Sequence, residues 1–247
     1  SLGVAVVVLA MGSVSVSFLT GLNFLGDLTL AFAAIVGSAL ALLVVLVVAR
    51  RIASGMTLLI LGLLFSYMTS ALVNLLLYFS IPERIQAYIN WTFGSFSEVT
   101  WGQMPIVMPV ILFGLGAAFM IGKPLNALLL GEDYAWSLGI NIRRLRIIVI
   151  VITAVLAGTI TAFCGPIGFI GIAVPHLCRS LFNTADHRIL IPAALVMGAI
   201  VAVAAALIAS VPGSNVVLPL NAVTAVIGAP VVIWVVLRRQ IMKGDPA

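Results

Sequence analysis

Charged side chains are scarce in this chain of 247 residues, of which only 8% are Asp, Glu, Lys or Arg. Soluble domains carry about 25% of these residues, so the chain has too few charges to cover a surface that faces water. Hydrophobic residues make up 63% of the sequence, and the mean hydropathy is +1.30. These values exclude a soluble globular protein and indicate an integral membrane protein.

Groups that perform chemistry are also missing. No Asp, Glu or Lys falls in the middle of a predicted span, although ion-coupled carriers usually keep a titratable group there. Two histidines and two cysteines are too few for a catalytic metal centre, so we predict neither a metal nor a cofactor. The nearest approach to a phosphate-binding loop, residues 116–123, has one residue too many between its glycines, and Pro124 follows where Ser or Thr is required. We therefore expect no catalytic residues, and an energy source on another subunit.

The cationic residues that are present define a topology. Of the 12 Lys and Arg residues, 11 fall in four clusters: Arg50-Arg51; Lys123 with Arg143, Arg144 and Arg146; Arg179 with Arg188; and Arg238-Arg239 with Lys243. Cations accumulate in cytoplasmic loops, so all four clusters are cytoplasmic only if the spans between them come in pairs. At about 20 residues per span, the apolar runs predict eight: 2–20, 28–49, 56–80, 105–121, 145–163, 167–182, 191–211 and 218–237.

This topology places the C-terminus in the cytoplasm and explains the net charge of +5 without nucleic acid as a partner. No basic face with interleaved aromatic residues supports such a partner. The sequence begins directly in an apolar run and without methionine, and we expect it to be cut from a longer protein. The prediction is a single transmembrane domain over residues 1–247, with a long cytoplasmic loop at residues 123–144.

That loop holds the first specific motif. Residues 125–139 read LNALLLGEDYAWSLG, which predicts a short amphipathic helix followed by a glycine break at the membrane surface. Asp133-Tyr134-Ala135, three further residues and Gly139 resemble the E-A-A-x-x-x-G coupling signature of ABC importer permeases. Asp replaces Glu, and Tyr replaces the first Ala.

Further stretches strengthen the resemblance. Residues 165–171 read GPIGFIG, and they are followed by Pro175-His176, Arg179 and Asp186-His187-Arg188. Residues 91–101 and 221–234 add an outer W-x-x-G-S…W segment and an N-A-V-T-A…G-A-P…W segment. In this order they resemble the FecCD-type ABC permeases, which import iron-siderophore complexes, haem or cobalamin, and the match covers nearly the whole chain.

The resemblance implies an all-α polytopic fold similar to a cobalamin permease, with about eight of ten helices present and the first two missing. It also implies a multi-pass protein of the bacterial inner membrane, surrounded by lipid. The expected partners are a second copy of the chain, two cytoplasmic ATP-binding subunits and a periplasmic substrate-binding protein.

The site residues expected from this resemblance form three groups, each with a structural alternative. The coupling loop would contact the ATPase through Glu132, Asp133, Ala135 and Gly139; otherwise it is a plain interfacial turn. A supporting cytoplasmic turn would contain Pro175, His176, Arg179, Asp186, His187 and Arg188. Otherwise Arg179, Arg188 and Asp186 form ion pairs with a purely structural role. The binding protein would dock on Glu83, Arg84 and Glu98. Otherwise Arg84 forms a local, solvated ion pair with one of these acidic neighbours.

Two other functions are compatible with the composition. An ion-coupled secondary transporter would need intramembrane carboxylates, which the predicted spans lack. A membrane anchor or receptor subunit without transport activity would leave the coupling-like loop unexplained.

Overall fold

The computed structural model describes residues 2–6, 35–41, 43–44, 47, 55–97, 99–210 and 218–243. Every regular element in these ranges is helical, which confirms the predicted all-α class. The helices with defined ends are α1 (Leu2–Ala5), α2 (Gly55–Tyr78), α3 (Pro82–Phe93), α4 (Met104–Met120), α5 (Gly122–Leu128), α6 (Glu132–Ser137), α7 (Ile142–Cys164), α8 (Ile170–Phe182), α9 (His187–Ala209) and α10 (Leu220–Lys243).

Six of the eight predicted spans coincide with the long helices α2, α4, α7, α8, α9 and α10. In the described part of the chain, α7 and α9 are long and apolar enough to cross a membrane individually. A third crossing is possible if α4 and α5, which are bent by 44° at their junction, count as one span. The predicted spans 2–20 and 28–49 lie largely outside the described residues.

The sixth predicted span is the shortest. Its helix, α8, has 13 residues, which corresponds to a length of about 20 Å, whereas the hydrocarbon core of a bilayer is about 30 Å thick. The non-helical segment before α8, residues 165–169, must therefore lie within the membrane if this span crosses it.

One helix was not predicted. The outer stretch after α2 contains α3, which is amphipathic and begins at a proline, a residue that favours the first helical position. Tyr88 of α3 is buried, and the Trp91 indole N–H donates a hydrogen bond to the Ala162 carbonyl of α7 at 3.3 Å. Tyr88 and Trp91 of α3 therefore pack against the protein, whereas Phe93 is exposed.

The chain forms two compact units. The first comprises Ser1–Thr92, Ser97–Gly116 and Arg146–Pro166, and its buried clusters centre on Val107 and Tyr88. The second comprises Phe93–Phe96, Ala117–Leu145 and Ile167–Ala247. Its buried clusters join α8, α9 and α10, and it contains the whole of the predicted cytoplasmic loop.

Candidate functional site

The predicted coupling loop folds as two short helices, α5 and α6, rather than as one helix with a break after it. Glycines with positive φ lie on both sides of α6: Gly131 has a φ of 113° and Gly139 a φ of 78°. After α6, the Ile140 N–H donates to the Ala135 carbonyl at 3.1 Å and the Gly139 N–H to the Trp136 carbonyl at 2.9 Å. This pair of bonds is a Schellman motif, which ends a helix with glycine in the left-handed region.

Gly139 is needed for its backbone conformation. A Cβ atom added at this position would meet nothing within 4 Å among the described residues. Residues with a Cβ rarely adopt a φ of 78°, so a side chain would strain the turn even though there is room for it. The prediction that Gly139 forms the turn agrees with this geometry, but the constraint is conformational rather than steric.

The side chains of α6 divide into a packed side and an exposed side. Ala135 has 0% exposure, so its methyl group packs within the chain and is not available to a partner. Trp136 is 74% exposed, and Tyr134 and Leu138 are also exposed. The surface that the loop offers therefore includes two aromatic side chains, which the coupling signature does not indicate.

Glu132 and Asp133 occupy the first turn of α6 and are exposed. Carboxylates at a helix N-terminus interact favourably with the helix dipole, typically by about 0.3–1 kcal/mol at an exposed site. Their position therefore has a structural explanation as well as the predicted role in ATPase contact.

Asn126 of α5 connects the coupling loop to the beginning of α9. Its amide Nδ2–H donates to the Asp186 carboxylate. Its Oδ1 accepts the His187 backbone N–H at 2.7 Å and lies 2.8 Å from the His187 Nδ1. We refer to Asn126, Asp186 and His187 together as the brace, and to the brace with α5 and α6 as the coupling site.

The partners of Asn126 fix its amide orientation. A backbone N–H is only a donor and an ionised carboxylate only an acceptor, so the oxygen must face His187 and the nitrogen Asp186. With an oxygen opposite, the His187 Nδ1 must carry a proton. No other side-chain type of this size supplies a donor and an acceptor in this arrangement, which explains the asparagine.

Asp186 also caps α9. Its side chain accepts the Arg188 backbone N–H at 2.8 Å, and its own N–H donates to the Thr184 hydroxyl at 3.2 Å. The Arg188 N–H and then the Asn126 amide hold the pKa of the Asp186 carboxyl below its ordinary value. The carboxylate is therefore ionised at neutral pH, as the brace requires.

The predicted supporting turn is shorter than expected. Pro175, His176 and Arg179 lie within α8, which continues to Phe182, and the turn itself comprises residues 183–186. His187 and Arg188 are the first residues of α9. In the described part of the chain, Asp186 pairs with Asn126 and with the Arg188 backbone rather than with the guanidinium of Arg179 or Arg188. Asn126 was not predicted as a site residue, because its partners are 60 and 61 residues away in the sequence.

The predicted docking residues lie in the first unit. Glu83 and Arg84 form the first turn of α3, and Glu83 is exposed while Arg84 is half-buried. The Arg84 backbone N–H donates to the Ile81 carbonyl at 3.1 Å. Glu98 lies outside the described residues.

Helix α2 carries a second candidate site. Tyr67, Ser70, Asn74 and Tyr78 are spaced by three, four and four residues, so they lie along one face of the helix. All four are exposed, the two tyrosines at 67% and 83%. The buried and half-buried residues of α2, Val73 and Leu76 among them, lie beside and behind this face, and half-buried Leu77 is next to Ser70 around the helix. We call these four residues the polar stripe; it faces away from the rest of the described chain.

The chain is similar to proteins of known family. Residues 1–238 match the model of the FecCD transport family. The chain is 36% identical over 225 residues to the vitamin B12 import system permease protein BtuC of Klebsiella pneumoniae subsp. pneumoniae, covering 90% of this chain and 66% of that protein. It is 35% identical over 222 residues to the protein of the same name from Citrobacter koseri, covering 90% of this chain and 67% of the relative. The chain thus spans about two thirds of the length of these relatives.

A solved structure is also similar. It is described as an inward-facing conformation of an ABC transporter of the metal-chelate type, and it is 28% identical to this chain. The TM-score is 0.76, and the match covers 96% of this chain and 74% of the other. The fold is therefore shared over nearly all of the sequence.

Proposed function

This chain belongs to the FecCD transport family, and on that premise we propose that it is the membrane-spanning permease of an ABC importer of the inner membrane. It works as a homodimer with two cytoplasmic ATP-binding subunits and a periplasmic binding protein. Its cargo is a bulky metal chelate of the cobalamin, haem or ferric-siderophore class. ATP is hydrolysed on the partner subunits, and the C-terminus of the permease is cytoplasmic.

The observation that carries this proposal is the coupling site. The second of two short helices exposes Tyr134 and Trp136, and Asn126 ties the first of them to the N-terminus of a long membrane helix. Aromatic residues are enriched in the buried core of protein interfaces. A rigid connection to α9 lets a force on this surface reach the membrane domain. This arrangement suits a subunit driven by another protein.

The polar stripe supports the homodimer and the passage. Phenol, hydroxyl and amide groups in a membrane helix face the protein interior or a water-filled cavity, because exposure to lipid leaves their hydrogen bonds unmade. In a single chain the stripe of α2 faces outward. A second copy placed against this face would enclose the two stripes around the symmetry axis. Neutral polar and aromatic groups there would let a large ligand pass without the tight binding that charges or metal ligands produce.

The proposal is tested by reconstituting the permease in lipid vesicles with its ATP-binding subunit and binding protein. Uptake is measured separately for labelled cyanocobalamin, haemin and a ferric hydroxamate. We expect one of the three to accumulate only with ATP and both partners present. Accumulation driven by an ion gradient without the ATP-binding subunit would establish a secondary transporter instead. Absence of uptake for all three, with no ATP hydrolysis stimulated by the binding protein, would contradict the permease role.

The polar stripe gives a direct prediction for the passage. In a variant without the two native cysteines, Ser70→Cys and Asn74→Cys should react with a charged, membrane-impermeant thiol reagent at least about tenfold faster than Leu72→Cys. All three positions are exposed in the single chain, but Leu72 lies about 140° around the helix from Tyr67, outside the stripe. The measurement is the rate of labelling in the assembled transporter.

The control for this prediction is the isolated permease dissolved in detergent as separate chains. There the three cysteines should react at similar rates, because no second copy distinguishes the faces of α2. Equal rates in the assembled transporter as well would place the stripe against lipid and remove the support for the passage.

We also propose that the binding protein docks on the first turn of α3. Arg84→Glu should slow association of the binding protein and weaken the salt dependence of its rate, because charge pairs mainly steer encounter. Asn90→Glu, an exposed position on the same helix, is the matched control and should have a smaller effect. An unchanged association rate of Arg84→Glu at low ionic strength would exclude this residue as a docking contact.

A further inference from the structure

Phe169 adopts a backbone conformation that is rare for a side chain of its size. Its φ is 65° and its ψ is −39°, and the Ile170 N–H donates to the Gly168 carbonyl at 2.8 Å. This is a γ-turn of the form with positive φ, which is uncommon and strained. It lies at the beginning of α8, and a bulky residue there holds free energy that a residue with negative φ would not.

Helix α10 holds this turn in place. A Cβ atom added to Gly228 would lie 2.5 Å from the Phe169 Cβ, so the phenylalanine packs directly against the α10 backbone. The Asn221 side-chain oxygen accepts the Gly168 N–H at 3.3 Å. Both contacts come from one helix within the same compact unit, and together they maintain the strained conformation.

A cavity adjoins the turn. It has a volume of about 50 Å³, and its walls are contributed by α8, α9 and α10, including Ile170 and Gly228. The polar side chain in its wall is Thr224, whose hydroxyl already donates to the Asn221 carbonyl at 3.1 Å. The space is partly open and its walls are almost entirely apolar, so these walls lack part of the packing contacts of a filled interior.

From these two features we propose that the beginning of α8 is a two-position latch. In the second position Phe169 relaxes to a negative φ and the first turn of α8 moves into the cavity. Strain and void both destabilise the present position, and one displacement relieves both. Packed interiors respond to such imbalances by switching between discrete arrangements rather than by deforming gradually.

The latch is positioned to act on the coupling site. Helix α8 begins directly after Phe169 and ends at Phe182, and the turn that follows ends at Asp186 of the brace. A displacement of α8 is therefore transmitted along the backbone to Asp186. From there it reaches Asn126 through the hydrogen bond between the two side chains, all within one compact unit. This inference depends on the proposed function: the latch would make Phe169, Asn221 and Gly228 positioning residues for the transport cycle.

Filling the cavity tests the latch. Ala205 of α9 is 1% exposed and lines the cavity, whereas Ala204 beside it is exposed. In the assembled transporter Ala205→Val should keep or raise the melting temperature but lower binding-protein-stimulated ATP hydrolysis about tenfold, because the space for movement is lost. Ala204→Val, the matched control, should change neither quantity.

Two outcomes of this experiment distinguish failure of the proposed function from failure of the latch. If the wild-type transporter shows no stimulated hydrolysis, the permease role fails and the latch fails with it. If the wild type is stimulated and Ala205→Val is stimulated equally, the cavity is a static packing defect and the latch alone is wrong.

A second measurement covers the case in which Ala205→Val does not fold. Hydrogen exchange of the Gly168 and Ile170 amides in the wild-type transporter should differ at least about tenfold between the nucleotide-free and the vanadate-trapped states. Both amides are hydrogen-bonded in the present position. Equal protection in the two states would overturn the latch, because a turn that does not change cannot take part in the cycle.

Discussion

Gly139→Val should abolish ATP hydrolysis stimulated by the binding protein, whereas Gly139→Asn should retain most of it. Position 139 has a φ of 78° with open space around it. The left-handed region costs an ordinary residue about 1–2 kcal/mol, and asparagine visits it far more readily. Valine is β-branched and tolerates it least, so the Schellman motif should open and α6 should lose its defined orientation. The measurement is hydrolysis by the assembled transporter at saturating ATP.

Gly116→Val is the control for this substitution. Gly116 also has nothing within 4 Å of an added Cβ, but it lies within α4 and lacks a positive φ. Valine should be tolerated there, with hydrolysis and membrane insertion close to wild type. Stimulated hydrolysis in Gly139→Val equal to that of the wild type would show that the turn after α6 does not transmit force to the ATPase.

Asn126→Asp should uncouple the transporter at neutral pH by at least about tenfold in stimulated hydrolysis. The substitution places a second carboxylate against Asp186, whose charge is already stabilised by its neighbours. Like charges at this distance repel, and the amide donor that Asn126 offers to Asp186 is lost as well, so the brace is weakened. The repulsion disappears when one carboxylate binds a proton. Activity should therefore recover partly as the pH falls towards the raised pKa of the new pair.

A second substitution rescues the first in this prediction. In Asn126→Asp with Asp186→Asn, the amide and the carboxylate exchange places. Asparagine caps a helix as well as aspartate does, and the new carboxylate still accepts the two donors of His187. One Asp186 oxygen accepts both the Asn126 amide and the Arg188 N–H, so asparagine at position 186 must make these two contacts with different atoms. Stimulated hydrolysis should therefore recover in part at neutral pH, to above that of Asn126→Asp alone. Wild-type stimulated hydrolysis in Asn126→Asp alone would mean that the brace does not position the coupling loop. A double variant no more active than Asn126→Asp would mean that loss of the Asn126–Asp186 pair is not the cause of the defect.

Local sequence patterns predicted the helices and the glycine break well, because apolar runs and glycine positions depend on nearby residues. The helical class and the glycine turn at Gly139 that ends α6 follow from such patterns. The burial of Ala135 could not be predicted in the same way, since alanine is common on both sides of a helix. It depends on how α5 and α6 pack.

Long-range contacts were not predictable from this single sequence. Asn126 lies in a mostly apolar stretch, residues 124–130, and nothing near it in the sequence indicates Asp186. The backbone conformation of Phe169 is still harder to predict, because phenylalanine strongly disfavours positive φ. Only the contact with Gly228 explains why Phe169 adopts this conformation. Both residues are determined by neighbours that are distant in the sequence.

The shortness of α8 also affects hydration of the membrane interior. Residues 165–169 approach α8 without helical hydrogen bonding, and backbone groups in hydrocarbon must find partners inside the protein. The Asn221 side chain supplies one, since it accepts the Gly168 N–H that would otherwise need a water molecule. The Asn221 side chain thus takes the place of a hydrogen-bonding water molecule. If residues 165–169 lie at membrane depth, this bond satisfies one of their backbone groups without a water molecule.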